Sequence, residues 1–533
     1  MLQSQTWKST LNILHRLGLA GLVAALPLSN FVMSVSMFWL AGVWLLQIIT
    51  DTQNGKKWHS RFQLFFQNRS AWMLSAFYLL PIIGLIWTDD FGYAAWDLRM
   101  KLPLLILPFL LTTLDPITDL EYRQTLGVFL LSLSFAVIWC LLIYFHINPK
   151  PYNNIREISV FISHVRFSLL LIFGLCVTGV ESWDKPMGKP FTVLISALYL
   201  YFLYIIGSIT GIMVLSIVLF WALIKTLLKS KRKSLRYTSI ALLVLIPTIT
   251  FLYLQHAYQQ YFGVEKPDWK NLPTHTSRGD EYQHFPEYPA IENGHYIMTY
   301  VAWGELYQGW LERSDLYPDS TDARGHLLKG TLIRYLANKG LRKDLDGMRA
   351  LTDDDIYLIE QGFTSPDEKN RGGLKSRMNR VFYEWSNYIA GGNPNGHSVI
   401  QRLEFWKTGS AIIADHPIFG VGTGDVKKSF ASKYDEMQTK LDPEFRLRAH
   451  NQYMTLWISY GIFGLIAFCI MLISAWNKNK KNVLYTAFMI IAAMSFFTED
   501  TLESQAGVMF FGFFFVFLVT KRKISLHTLR PVK

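Results

Sequence analysis

Long apolar runs dominate this chain and limit the folds that it can adopt. We interpret twelve of them as membrane spans, because a helix needs about 20 residues to cross the hydrocarbon core of a bilayer. They are segments 11–28, 31–50, 71–87, 102–114, 125–145, 167–180, 191–206, 211–228, 237–254, 454–476, 483–497 and 508–520. The sequence therefore predicts an all-α, polytopic membrane protein with about 12 transmembrane helices.

The composition supports a membrane protein. Hydrophobic residues make up 51% of the chain and charged residues 17%, with a mean hydropathy of +0.19. These values are too apolar for a soluble protein of 533 residues. Cys140, Cys176 and Cys469 all lie inside apolar runs, so we expect neither a disulfide framework nor a thiolate metal site.

The net charge of +12 is concentrated beside the spans. Residues 255–449 contain 24 Lys and Arg against 27 Asp and Glu, so this large polar region is nearly neutral. The basic residues cluster instead in segments 56–69, 229–236, 478–481 and 521–523. The positive-inside rule predicts that these segments and both termini are cytoplasmic. No basic stripe lies in the polar region, and we therefore expect no nucleic-acid partner.

The polar region follows the ninth predicted span, so it should lie on the outer side of the membrane. Helical periodicity recurs in 331–363 and 376–392, with glycine and proline stops between them. We predict one large, mostly helical outer domain with interfacial helices at 255–449. It should lie between residues 1–254, which hold spans 1–9, and residues 450–533, which hold spans 10–12 and a cytoplasmic C-terminus.

The residue best suited to acid–base chemistry is His450, in the sequence RLRAHNQY just before the tenth span. A helix N-terminus carries partial positive charge, and Arg446 and Arg448 are close in sequence. Both effects disfavour the imidazolium ion, and a neutral histidine can act as a general base. The alternative is a histidine that only caps a helix or lies at the interface.

Four cations could bind an anionic substrate on the outer side. Arg166 begins the sixth span, and its guanidinium offers two parallel donors to phosphate, although such an arginine could also extend to the lipid head groups. His164 could support the same site. Arg99 and Lys101 form a positive pair in a predicted outer loop, against the usual charge bias.

Arg402 precedes an apolar helical face containing Phe405 and Trp406, which predicts an amphipathic helix at the membrane surface. The periodicity leaves open whether Arg402 is a solvated helix start or faces the site. Farther along, Gly420, Gly422 and Gly424 form a GVGTGD turn. No strand precedes this turn and it lacks the GxxxxGK[ST] pattern, so we predict a tight turn between two interfacial helices rather than a nucleotide site.

Two acidic groups allow different interpretations. The triplet 353–355 follows Thr352 and opens a helical pattern, so we predict helix capping rather than a metal site. Glu499, Asp500 and Glu503 lie in the last outer loop. They could orient the arginines or face solvent. Charged residues are almost absent inside the spans, which argues against an ion-coupled transporter.

The motifs R-x-x-x-W, HPIFGVGTGD and RAHNQYMTLWISYGIFGL, in this order before the last spans, resemble the O-antigen ligase and polymerase superfamily. Its members are bacterial inner-membrane glycosyltransferases that use a polyprenyl-pyrophosphate-linked glycan as donor. The resemblance implies that His450 is the catalytic residue and that Arg166 and Arg402 bind the pyrophosphate. Arg448 and Asn451, on either side of the histidine, are further substrate-binding candidates.

The implied reaction is an inverting displacement on the periplasmic face, without metal or cofactor. The acceptor is lipid A–core for a ligase, another glycan for a polymerase, or a protein Ser or Thr for an O-oligosaccharyltransferase. Residues 255–398 are longer than in many ligases and leave the acceptor open. A transporter or flippase of lipid-linked sugars is the alternative from another functional class. We expect the three turn glycines with Arg99 and Lys101 to support the site.

Overall fold

The computed structural model describes residues 2–53, 55, 59–148, 150–152, 155–181, 188–366, 374–520 and 522. Helices account for nearly all regular structure in these residues. The two strands found there, Ile291–Glu292 and His295–Tyr296, form one short antiparallel pair. The prediction of a mostly helical chain is confirmed.

Eight helices in the described part of the chain are long and apolar enough to cross a membrane. They are Asn30–Gln53, Arg69–Trp87, Asp119–Tyr144, His164–Glu181, Gly188–Ile206, Ile209–Lys229, Lys233–Phe262 and Gln452–Asn479. The helices Leu2–Ala25, Pro103–Thr113, Val483–Thr498 and Gln505–Phe517 coincide with the other four predicted spans. The chain is a multi-pass membrane protein, and the count of twelve stays a prediction for those four helices.

The last two of these helices pack among the earlier ones. Phe173, in His164–Glu181, has its ring centroid 5.8 Å from that of Phe488 and 4.5 Å from that of Phe514. Nearly every residue of Gln505–Phe517 is buried. Aromatic pairs at these separations contribute beyond the area that they bury. This packing brings the loop 499–503 to the N-terminal end of His164–Glu181.

Only some of the basic residues that mark the predicted cytoplasmic side lie within the described residues. Lys56, Lys57, Lys521 and Lys523 lie outside the described residues. Arg61, which belongs to the basic segment predicted to be cytoplasmic, is buried. Its guanidinium lies 2.6 Å from Asp51 and 3.0 Å from Asp115, which explains how a cation is tolerated there. The orientation of the chain in the membrane stays a prediction.

The outer region begins beyond Lys233–Phe262, a helix that runs eight residues past the predicted span end. Its first part has a core of its own around Trp310, Leu332 and Tyr335. The surrounding helices are Trp303–Leu311, Leu328–Asn338, Leu345–Arg349, Asp353–Glu360 and Leu374–Ile389. The predicted helical periodicity is therefore confirmed. Thr352 and Asp355 form a reciprocal capping box, which confirms the capping interpretation of the acidic triplet.

The second part of the outer region consists of the helices Ser398–Asp415 and Val426–Glu436. Phe405 and Phe430, one from each helix, share a small core with Ile458 of Gln452–Asn479. The two outer helices are therefore attached to the membrane helix that follows them. We call Ser398–Asp415 and Val426–Glu436 the interfacial helices, and Gln452–Asn479 the site helix.

Candidate functional site

The site helix begins at Gln452, two residues after His450. Asn451 is the N-cap, and its side-chain oxygen accepts a hydrogen bond from the backbone N–H of Met454 at 3.1 Å. This capping role explains why an asparagine is favourable there. His450 precedes the cap with a φ of 46°, in the left-handed region. The backbone thus turns at the histidine before it enters the helix.

Asp500 holds this turn in place. Its carboxylate accepts the backbone N–H groups of His450 at 3.2 Å and Asn451 at 2.9 Å, and the hydroxyl of Thr455 at 2.7 Å. An acidic group at a helix N-terminus also interacts favourably with the helix dipole. The loop between the last two apolar helices therefore fixes the backbone on both sides of the candidate base.

The imidazole of His450 lies beside a carboxylate. Its Nδ1 is 3.6 Å from Glu499 Oε2, and its ring centroid is 5.7 Å from that of Phe405. The other oxygen of Glu499 accepts a hydrogen bond from Arg402 Nη2 at 2.5 Å. Glu499 thus joins the histidine to the arginine. The structure decides the alternative for Arg402: it faces the histidine site.

The sequence assigned the wrong neighbours to the imidazole. Arg446 Nη1 lies 2.6 Å from Asp435 Oδ1, and Arg448 Nη1 lies 3.1 Å from Glu503 Oε2. Each arginine therefore has its own carboxylate partner, and the charged group facing His450 is Glu499. Closeness in sequence did not predict these pairings, because the carboxylate partners come from the distant positions Asp435 and Glu503.

Burial alone would raise the pKa of Glu499, but the favourable contacts outweigh it. Contact with His450, followed by the charges of Arg402 and Arg166, holds the pKa of this carboxyl below its usual range. Glu499 is therefore ionised at neutral pH. A buried carboxylate in this position can fix the orientation of the imidazole and stabilise a proton on it.

Arg166 reaches the same carboxylates from another helix. It lies in the first turn of His164–Glu181, within electrostatic range of Glu499 and Asp500. Its Nε is buried and has no hydrogen-bond partner among the described residues. His164 is also within electrostatic range of Glu499 and Arg402. The fold thus brings Arg166, His164, Arg402 and His450 together around Glu499.

Lys101 and Arg448 belong to an adjoining buried network. Glu503 accepts from Lys101 Nζ at 2.9 Å and from Arg448 Nη1 at 3.1 Å, and Lys101 also contacts Asp97 at 2.8 Å. Burial alone would raise the pKa of Glu503, but the two cations lower it below its ordinary value. The network ties the acidic loop to the helix Phe91–Lys101. Substrate contact by Arg448 stays a prediction.

Arg99 lies on the same helix as Lys101 but is exposed. The structure therefore separates the two residues of the predicted positive pair. A support role for Arg99 stays a prediction.

The glycine turn, residues 417–424, packs into a break in the site helix. At Gly461 the helix has a non-helical φ of 65° and ψ of −167°. The backbone N–H of Val421 donates to the carbonyl of Ile458 at 2.8 Å, and that of Gly422 donates to Ser459 at 3.0 Å. In return, the N–H of Ile462 donates to Pro417 at 3.0 Å. These bonds supply partners for the backbone N–H and C=O groups that lose their helical hydrogen bonds at the break.

The turn is therefore structural. It connects the two interfacial helices, as the sequence predicted, and several of its N–H groups already have protein partners. The N–H of Gly424 donates to the Thr88 hydroxyl at 3.2 Å. A Cβ at Gly420 would lie 2.4 Å from the carbonyl oxygen of Ile458, and one at Gly424 would lie 2.0 Å from that of Asp90. Glycine is required here for close backbone approach.

Gly461→Ala should destabilise the protein. A Cβ there would lie 1.8 Å from the carbonyl oxygen of Ile418, at a φ that alanine rarely adopts. We expect a loss of about 1–3 kcal/mol in the free energy of unfolding, measured by thermal unfolding of purified protein in detergent. Gly42→Ala is the control, because nothing lies within 4 Å of its added methyl. Equal unfolding temperatures for both variants would contradict the close backbone contact between Gly461 and the glycine turn.

Sequence reasoning missed three arginines near the site. Arg156, in the short helix Ile155–Ile158, is within electrostatic range of Arg380 and Arg402. Arg377 is within electrostatic range of all three of these arginines. Arg377 Nη1 lies 4.0 Å from Glu384 Oε1. The spacing of Arg377 and Arg380 on an amphipathic helix was the available signal. A solvated helix face shows the same spacing, so the pattern alone did not single them out.

Comparison with known proteins supports the resemblance seen in the motifs. Residues 372–469 match a protein-family model described as O-Antigen ligase. An uncharacterized protein of Haemophilus influenzae is 22% identical over 178 residues, covering 31% of this chain and 44% of that protein. The chain thus spans less than half the length of this relative. The family match includes Arg402, the glycine turn and His450, so the residues that carry the resemblance to the O-antigen ligase superfamily lie within the matched segment.

Proposed function

We propose that this protein transfers a glycan from a polyprenyl-pyrophosphate carrier to an acceptor hydroxyl on the periplasmic face of the bacterial inner membrane. The main support is the bridge by which Glu499 joins His450 to Arg402, with Arg166 within electrostatic range of the same carboxylate. A candidate base and two candidate phosphate ligands thus meet where the site helix begins. Both termini are cytoplasmic in this proposal.

The arginines stabilise the leaving group. Polyprenyl pyrophosphate departs as an anion, so the transition state gains negative charge on phosphate oxygens. Arg166 and Arg402 bind these oxygens through their planar guanidinium groups. The unpartnered Nε of Arg166 supports this role, because a buried donor without a partner is costly until a ligand supplies one. Two arginines and a helix N-terminus supply the positive charge, so the proposed reaction is metal-independent.

His450 removes the proton of the acceptor hydroxyl. With Nδ1 directed at Glu499, the other ring nitrogen is left for the acceptor. The acceptor oxygen then attacks the anomeric carbon as the bond to pyrophosphate breaks. The proton ends on the imidazole, where Glu499 stabilises it. A single displacement of this kind inverts the anomeric centre.

The acceptor that we propose is lipid A–core, as in an O-antigen ligase. Polymerisation of O-antigen or exopolysaccharide and transfer to protein Ser or Thr use the same groups and are the alternatives. The glycan profile of a deletion strain separates them, through loss of long-chain lipopolysaccharide, of polysaccharide length or of glycoprotein. A transporter of lipid-linked sugars would move the donor across the bilayer without any transfer by the purified protein.

Transfer by purified full-length protein from a polyprenyl-pyrophosphate glycan, with EDTA present, tests the proposal. We expect activity in EDTA and a loss of about 10²–10³-fold in Arg166→Ala, the usual effect of removing one transition-state donor. Arg349→Ala is the matched control, since this arginine is exposed on the outer domain. Full activity of Arg166→Ala would refute its role. Loss in EDTA with recovery in Mg²⁺ would refute the metal-free reaction.

A further inference from the structure

A large polar cleft opens beside the candidate site. Its volume is about 1570 Å³, more than the 300–1,000 Å³ of typical small-molecule pockets. One wall comes from the outer domain, including Tyr357 and Asn387, and the other from Arg156, Ile206 and Gly207 near the outer ends of membrane helices. An extended polar ligand of oligosaccharide size fits such a cleft better than a compact metabolite.

The cleft has a positive balance of charge. Among the residues that the structure describes, five arginines line it, against the three carboxylates Glu292, Glu384 and Asp442. The arginines are Arg156, Arg324, Arg334, Arg377 and Arg380. Exposed Tyr357 offers an aromatic face and five asparagines offer amide groups, which suit the apolar faces and hydroxyls of sugar rings.

Three of these arginines crowd together at one end. Burial, followed by the charge of Arg156, lowers the pKa of Arg377 to about 10, and Arg380 adds to the effect. Like charges held together in a protein repel each other unless an anion lies among them. Glu384 is one carboxylate near them, with its Oε1 4.0 Å from Arg377 Nη1. The Nε of Arg377 is buried and lacks a hydrogen-bond partner within the described ranges.

This end of the cleft leads to the site. Arg156 and Arg377 both lie within electrostatic range of Arg402, which contacts Glu499 beside His450. A chain bound in the cleft would therefore have one end close to the candidate base. The wall formed by residues 288–363 lies outside the segment that matches the family model, so the cleft is largely a feature of this chain's long outer domain.

We propose that this cleft binds an acidic oligosaccharide, bearing carboxylate or phosphate groups, with Arg156, Arg377 and Arg380 contacting the charged groups. The inference rests on the proposed function, since it supplies the glycan on which that site acts. The bound chain is the glycan of the donor or of the acceptor. Its acidic groups occupy the crowded end of the cleft, and its sugar rings extend along Tyr357.

Calorimetric binding to the full-length protein in nanodiscs tests this inference, with hexagalacturonate as the acidic probe and maltohexaose as the neutral one. We expect hexagalacturonate to bind and to weaken steeply as salt is raised, while maltohexaose binds at least about 10-fold more weakly. Arg377→Gln/Arg380→Gln should weaken hexagalacturonate binding by about 10-fold or more. Arg349→Gln, an exposed arginine of the same domain, should leave it unchanged.

Absent binding, equal binding of the two probes, or equal loss in Arg349→Gln would overturn the inference. The probe comparison and the salt series use the wild-type protein, so they remain decisive if the double variant misfolds. His450→Ala should retain hexagalacturonate binding. Binding without any glycan transfer by the wild type would refute the proposed function alone, whereas transfer without preference for the acidic probe would refute the cleft assignment alone.

Discussion

Replacing His450 with alanine should reduce the rate of glycan transfer by about 10²–10⁴-fold, the usual contribution of a general base. The expected loss is in kcat, because proton removal belongs to the chemical step and the proposed pyrophosphate contacts of Arg166 and Arg402 remain. The measurement is steady-state transfer by purified protein. Since the backbone N–H of residue 450 still donates to Asp500, the variant should keep its fold.

The matched control is His416→Ala, an exposed histidine at the end of the first interfacial helix. Its transfer rate should equal that of the wild type. The transfer rate of Glu499→Gln should lie between those of His450→Ala and His416→Ala, because glutamine keeps the shape of the side chain but loses the charge that stabilises a protonated imidazole. Undiminished transfer by His450→Ala would remove the histidine from the mechanism.

The second large effect concerns stability. Lys101→Met should lower the free energy of unfolding by about 3–5 kcal/mol, because it leaves Asp97 and Glu503 buried without their shared cation. Methionine keeps most of the side-chain volume, so lost packing contributes little. The measurement is chemical or thermal unfolding in detergent, with a monodisperse chromatography profile as the readout of native protein.

Arg99→Met is the control for this prediction, since the exposed arginine lies two residues away on the same helix. We expect a change within about 0.5 kcal/mol. Lys101→Met/Asp97→Asn should recover part of the stability, because the carboxylate that loses its cation is removed as well. An equal loss from Lys101→Met and Arg99→Met would show that the buried network contributes little.

The sequence predicted well where the pattern is local. The helices within 331–363 follow from their apolar periodicity, and the capping role of Thr352 follows from its position before an acidic first turn. The glycine spacing predicted a turn between two helices for the same reason. None of these predictions requires knowledge of which distant segments touch.

Pairings across the fold were not predictable in this way. Arg402 and Glu499 are 97 residues apart, and their contact depends on how the last membrane helices pack against the earlier ones. The sequence showed that the loop 499–503 carries the opposite charge to the arginines, but it left open whether this loop orients them or faces solvent. It also expected Arg448 to face His450, whereas the fold gives this arginine to Glu503. Local charge patterns do not determine which distant carboxylate an arginine contacts in the folded protein.

The break at Gly461 has a mechanical consequence. Residues 452–460 are joined by main-chain hydrogen bonds to the glycine turn, so they form one rigid body with the interfacial helices. Beyond the break, the site helix exposes apolar side chains such as Phe463, Ile466 and Ile470. Changes in bilayer thickness, which helices accommodate by tilting, would bend the chain at Gly461. We therefore expect the distance between Arg402 and His450 to stay the same when the bilayer thickness changes.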